Sequence, residues 1–206
     1  MPRRPATLIV VLLLALTILP QACGHHARVT VTPTSPTTPT ASTANSGQAK
    51  LAPRLITKAY TYQDENTVNI YLSNLTPAEL ARTPNDEPLV GQIVHIHMFI
   101  RPDPGRTPIE PDALNTSIRH AILAPDGATG IYAGGGFLLP KSKARSGSFE
   151  GTISRGTLTL QAATPNFNDA LGPASLRATF DVPNDTELAN LMATRFADAV
   201  KQTARR

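Results

Sequence analysis

Ile93-Val94-His95-Ile96-His97-Met98-Phe99-Ile100 is the stretch that decides the fold class. At period two it sets Val94, Ile96, Met98 and Ile100 on one face and Ile93, His95, His97 and Phe99 on the other, which is the pattern of a strand. Similar segments recur on both sides, at 55–62, 67–75, 90–101, 117–123, 130–139, 148–154, 157–162 and 175–182, with glycine and proline between them. In the second of these, Val68, Ile70 and Leu72 alternate with Asn69, Tyr71 and Ser73, and the polar residues 63–66 before it read as a hairpin turn. Seven or eight short strands predict a mainly β domain, either an antiparallel β-sandwich or a partly open barrel.

Two helices are expected beside the strands. Thr76-Pro77-Ala78-Glu79 carries a cap residue, a proline at the first helical position and a glutamate three residues after the cap, which is a capping box for one short helix ending near Ala81. Past Asn184 and Asp185, residues Leu188, Leu191, Met192, Phe196 and Val200 recur at helical spacing among polar neighbours. This predicts a C-terminal amphipathic helix over 186–203, packed across the sheet by its apolar stripe.

Outward from the domain, the amino end reads as an address. Arg3 and Arg4 precede the apolar run 6–19, whose 14 residues suit the core of a signal peptide and fall short of the roughly 20 that a membrane span needs. The leader is expected to cover residues 1–22. Cys23 is the single cysteine of the 206-residue chain, so no internal disulfide can form. Leu19-Pro20-Gln21-Ala22-Cys23 resembles the lipobox of bacterial lipoproteins. That resemblance implies cleavage before Cys23, lipid attachment to its sulfur, and a folded domain held at a bacterial membrane in the periplasm or outside the cell. By the same resemblance, Gly24 after the cysteine favours the outer membrane in a two-membrane bacterium.

Residues 23–50 are expected to be the lipidated cysteine and a Thr/Pro/Ser-rich linker, because Pro33, Pro36 and Pro39 recur at the polyproline period and apolar bulk is scarce. At about 3.1 Å per residue, such a linker spans up to roughly 80 Å. The remaining 51–206 is then one β-rich domain of ordinary size. Two of the positive charges, Arg3 and Arg4, belong to the leader, which takes the net charge from +4 to +2 for the rest. With no Lys/Arg run interleaved with aromatics and no tryptophan, a nucleic-acid partner is excluded from the reading.

His95, His97 and His120 are the residues with metal-binding chemistry. Two imidazoles project side by side from one strand face, and His120 lies in the next strand, so antiparallel pairing would complete a three-nitrogen zinc site with an open fourth position. The spacing H-x-H-x22-H is similar to that of the zinc ligands of α-class carbonic anhydrases, which implies zinc on those three residues. Gly91 followed by His95 and His97 resembles part of the cupin metal motif. Elsewhere, Gly134-Gly135-Gly136 reads as a bulge or a close backbone approach, since no P-loop sequence follows it. Asp103, Glu110 and Asp112 read as a solvated loop, and Ser146, Ser148 and Ser154 lack the surroundings of a nucleophile. Lys141, Lys143 and Arg145 form a small basic patch.

Together these observations predict a cell-envelope lipoprotein that acts without catalysis, through binding or structure, and without a cofactor. Its partners are the membrane, through the lipid on Cys23, and an envelope protein or lipid ligand. The alternatives are a zinc-binding protein or zinc enzyme using His95, His97 and His120, and a carrier whose sheet and terminal helix enclose an apolar ligand.

Overall fold

The computed structural model describes residues 24–34, 50–82, 88–103 and 113–204. Eight strands and two helices follow in the order β1 (Ala27–Pro33), β2 (Thr57–Tyr62), β3 (Val68–Ser73), α1 (Pro77–Leu80), β4 (Gly91–Met98), β5 (Thr116–Leu123), β6 (Thr129–Pro140), β7 (Ser148–Ala163), β8 (Ala174–Pro183) and α2 (Thr186–Ala204). The strands make one antiparallel sheet, in which β2 to β8 each pair with the next in sequence and β1 returns to lie beside β8. The sheet curls into a half-barrel, so of the two architectures expected, the partly open barrel is the one formed. Bridges from Tyr60 to Asn184 and from Val31 to Leu51 draw its edges together.

Curling gives the sheet two apolar faces, and the alternation of each strand serves both. Inward, Val94, Ile96 and Met98 of β4 join Ile70, Leu72, Ile118, Leu138, Ile153, Leu176 and Phe180 in the main core. Outward, Ile93 joins Ala59, Tyr71, Ala121 and Ile131 under α2. The helix begins where the Asp185 carboxylate accepts from the Leu188 amide at 2.9 Å and buries Ala189, Met192, Phe196 and Ala199 against this outer face. The buried stripe runs through alanines that the spacing of large residues did not single out, while Val200 is exposed. Small residues at 189 and 199 let the helix lie close to the strands, an arrangement that hydropathy alone undervalues. The capping box at Thr76 is formed as expected: the Glu79 amide donates to Thr76 Oγ1, and the Thr76 amide donates to Glu79.

Two expectations are corrected. The linker read over 23–50 is not one throughout, because Ala27–Pro33 is β1, with Val29 and Val31 fully buried and paired with Ala178 and Leu176. Val29-Thr30-Val31-Thr32 is an alternating β segment whose two valines suffice once the β8 edge stands beside them. The folded domain therefore includes β1 and does not start at Leu51. Second, the segments 148–154 and 157–162 are one 16-residue strand, β7. The pause at Arg155 and Gly156 is a bulge in the ladders to both neighbours, where the strand bends round the core without ending. The leader 1–22 and the lipid-attachment residue Cys23 lie outside the described residues.

The reading of Gly134-Gly135-Gly136 as a close approach holds. A Cβ on Gly134 would fall on the Thr157 carbonyl oxygen of β7.

The ends of the half-barrel differ. At one, the 141–147 loop folds under the core as a plug, with Ala144 fully buried and its carbonyl accepting from the Tyr60 hydroxyl at 2.9 Å. The start of β1 lies at this end. At the other, the 124–128 turn, the 164–173 loop and residues 50–51 surround an opening.

Candidate functional site

The three histidines do not converge. His95 and His97 project from the outer face of β4, as the period-two pattern predicts. In the β4–β5 register, however, His95 lies opposite Arg119, while His120 lies opposite Val94 and therefore points inward. The strand of His120 and its neighbourhood were legible in the sequence. Its face depended on the register, and a shift of one residue exchanges the faces. His120 is wholly buried, so the zinc trio His95, His97 and His120 cannot share one ion across the sheet. Among the described residues, no group of three or more His, Cys, Asp or Glu side chains is placed to hold a metal.

On the outer face the histidine pair is tied to β3. Asn69 Oδ1 lies 3.0 Å from His95 Nε2 and 2.9 Å from His97 Nδ1. A carbonyl oxygen only accepts, so both imidazoles donate to it. The His95 ring stacks on Tyr71 at 4.5 Å and 4° and meets Phe196 of α2 edge-on at 6.1 Å. Burial above all, with His97 and Arg119 adding to it, pulls the pKa of His95 down to about 4. Its neutral ring is a packing surface between sheet and helix, and this arrangement fastens β3, β4 and α2 together.

The inner face holds the other histidine beneath a cavity. His120 Nε2 is 3.0 Å from Gln92 Oε1, and His120 Nδ1 is buried without a partner. A buried lone pair left alone costs less than a buried N–H left alone, so the proton sits on Nε2 and the Gln92 carbonyl turns toward it. That orientation leaves the Gln92 amide nitrogen as a donor, and Gln92 is among the residues that line the cavity. Burial holds the pKa of His120 at about 4.

The cavity opens at the end of the half-barrel away from the plug and has a volume of about 360 Å³. Leu51, Ile122, Tyr132, Phe167 and Leu171 supply apolar wall, and Gln92, Lys50, Asp126, Asn166 and Asn168 are the polar residues that line it with them. The Tyr132 hydroxyl donates to Asp169 Oδ1 at 2.5 Å, and that carboxylate also accepts from the Leu171 and Gly172 amides at 3.2 and 2.8 Å. Burial first, then the Asp169 carboxylate, push the Tyr132 pKa upward, so it stays a neutral donor. The bond fastens the 164–173 loop to β6 and so sets the width of the opening. Sequence reasoning missed Gln92, Tyr132, Phe167, Asp169 and Leu171. Gln92 and Tyr132 fell within expected strands and Phe167, Asp169 and Leu171 in the loop between two others, and no local signal separates a cavity wall from a packed core.

The chain matches no protein-family model, no curated protein and no solved structure at a significant level.

Proposed function

We propose that the chain is a noncatalytic cell-envelope lipoprotein, anchored through Cys23, whose half-barrel carries a small amphiphilic ligand in its open end. The observation that supports the reading is the 360 Å³ cavity, walled largely by apolar side chains with the Gln92 amide among them and with Lys50, Asp126, Asn166 and Asn168 also on its lining. It lies within the size range of small-molecule sites, about 300–1,000 Å³. At ~30 Å³ for each water-sized unit it takes about a dozen non-hydrogen atoms, as in a ten-carbon acid. The carrier reading therefore moves from the space between sheet and terminal helix, where Met192 and Phe196 are packed, to the mouth of the curl.

The amide donor defines the ligand's polar end. Gln92, held by His120, offers N–H to a carboxylate or carbonyl oxygen, while the walls take the hydrocarbon. Calorimetric titration with decanoate tests this, together with native mass spectrometry of the purified protein for a copurified ligand. One decanoate should bind per chain. Ala170→Trp, at an exposed position on the rim, should weaken binding at least tenfold without unfolding the protein. A wild type that binds neither decanoate nor decanol, and carries no added mass, would defeat the carrier reading. The mass of the mature amino terminus tests the anchor, and an unmodified Cys23 refutes it.

A further inference from the structure

The plugged end of the half-barrel faces the opposite way from the cavity, and it is the end at which β1 starts, just after Gly24. His26 is already fixed to the sheet, its carbonyl accepting from the Asp181 amide at 2.7 Å, and His25 lies 3.4 Å from the Asp181 carboxylate. Only Gly24 and His25 separate Cys23 from that bond. Three residue steps at ~3.6 Å reach about 11 Å, less than a third of the full thickness of a bilayer, roughly 40 Å. Any membrane attachment of residues 1–23, by lipid on Cys23 or by the apolar run itself, thus brings this end of the domain to the membrane surface.

Antiparallel connectivity collects a particular set of residues there. Phe99 and Ile100 follow β4, Leu114 precedes β5, and Leu139 closes β6; all four are exposed, Ile100 by 56% and Leu114 by 60%. Beside them the plug loop turns Ala144 inward and leaves Lys141, Lys143 and Arg145 exposed. Lys141 is engaged by Glu150 at 2.8 Å, whereas Lys143 and Arg145 make no ion pair among the described residues. The exposed apolar side chains and these two cations suit an anionic bilayer surface, and the acidic residues Asp64 and Glu65 of the exposed 63–66 turn stand at the same end beside β3.

We infer that the plugged end of the half-barrel, through Phe99, Ile100, Leu114, Lys143 and Arg145, rests on the anionic lipid surface to which the leader attaches the chain, so that the cavity mouth opens away from the membrane. The inference goes beyond ligand carriage and does not depend on it. Because the protein has no tryptophan, single reporters read the orientation directly. The full chain, reconstituted into vesicles of phosphatidylethanolamine and phosphatidylglycerol containing brominated lipid, is compared as Ile100→Trp and as Ala170→Trp. The Ile100→Trp emission should be blue-shifted and quenched, while that of Ala170→Trp at the opposite end should be unquenched. Replacing Lys143 and Arg145 by glutamine should lower the docked-to-free ratio about fivefold for each cation removed, given the pull of an anionic surface on one charge. An unquenched Ile100→Trp, equal quenching of both reporters, or quenching indifferent to the two cations would overturn the inference.

Discussion

The assignment of β1 to the folded domain is tested by replacing Val29 and Val31 together with alanine. Both side chains are fully buried in the main core, and the pair loses four methyl groups. At ~0.8 kcal/mol for each buried carbon the transfer loss is about 3 kcal/mol. Any space the neighbouring Leu176 and Ala178 fail to fill adds ~24 cal/mol per Å³. Set against a total stability of roughly 5–15 kcal/mol, that loss is large enough to move the unfolding midpoint plainly. The matched control is Thr30→Ala with Thr32→Ala, the half-buried alternate positions of the same strand, for which under about 1 kcal/mol is expected. Urea unfolding of the mature chain, followed by far-UV circular dichroism, compares the two pairs. Should the valine pair cost no more than the threonine pair, Ala27–Pro33 is not in the sheet and the segment is a tether after all.

Acid should weaken the fold through its buried histidines. His95 and His120 titrate near 4 in the folded protein against about 6.5 unfolded. The unfolded chain therefore takes up protons first, and stability falls as pH drops from about 6.5 toward 4, by up to ~1.4 kcal/mol per pH unit for each group. Unfolding midpoints at pH 7.5 and pH 5 that coincide would refute this, and His120→Gln should flatten the dependence. Gly134→Ala should destabilise the protein severely, since its Cβ meets the Thr157 carbonyl oxygen. Gly127→Ala, at φ 76° in open space, should cost only about 1 kcal/mol, as read from soluble yield and urea midpoint. Asn69→Ala removes the acceptor shared by His95 and His97 and should cost about 1–3 kcal/mol, while leaving decanoate affinity unchanged, because the pair lies on the face away from the cavity.

Much of the architecture was legible because alternation is a local property. Val94, Ile96 and Met98 against Ile93, His95 and His97 separate the inner core from the face beneath α2, and the capping box at Thr76 marks a helix start on four residues. Failures came where a residue's meaning depends on a distant strand. Val29 and Val31 look too sparse for a core until Leu176 and Ala178 lie beside them. Arg155-Gly156 looks like a turn until the bulged ladders to β6 and β8 carry the chain through it.

The candidate site divides along the same line. By itself the sequence determined the strand character of the chain, its two helices, and the side-by-side projection of His95 and His97, because backbone geometry imposes period two within a strand whatever it pairs with. Tertiary structure alone decided that His120 faces the opposite way, that Gln92 and Tyr132 meet Phe167 and Leu171 around a cavity, and that the plug and the opening lie at opposite ends. Those outcomes rest on register, curl and loop closure, which come from contacts between residues far apart in the chain and leave no periodic trace in it.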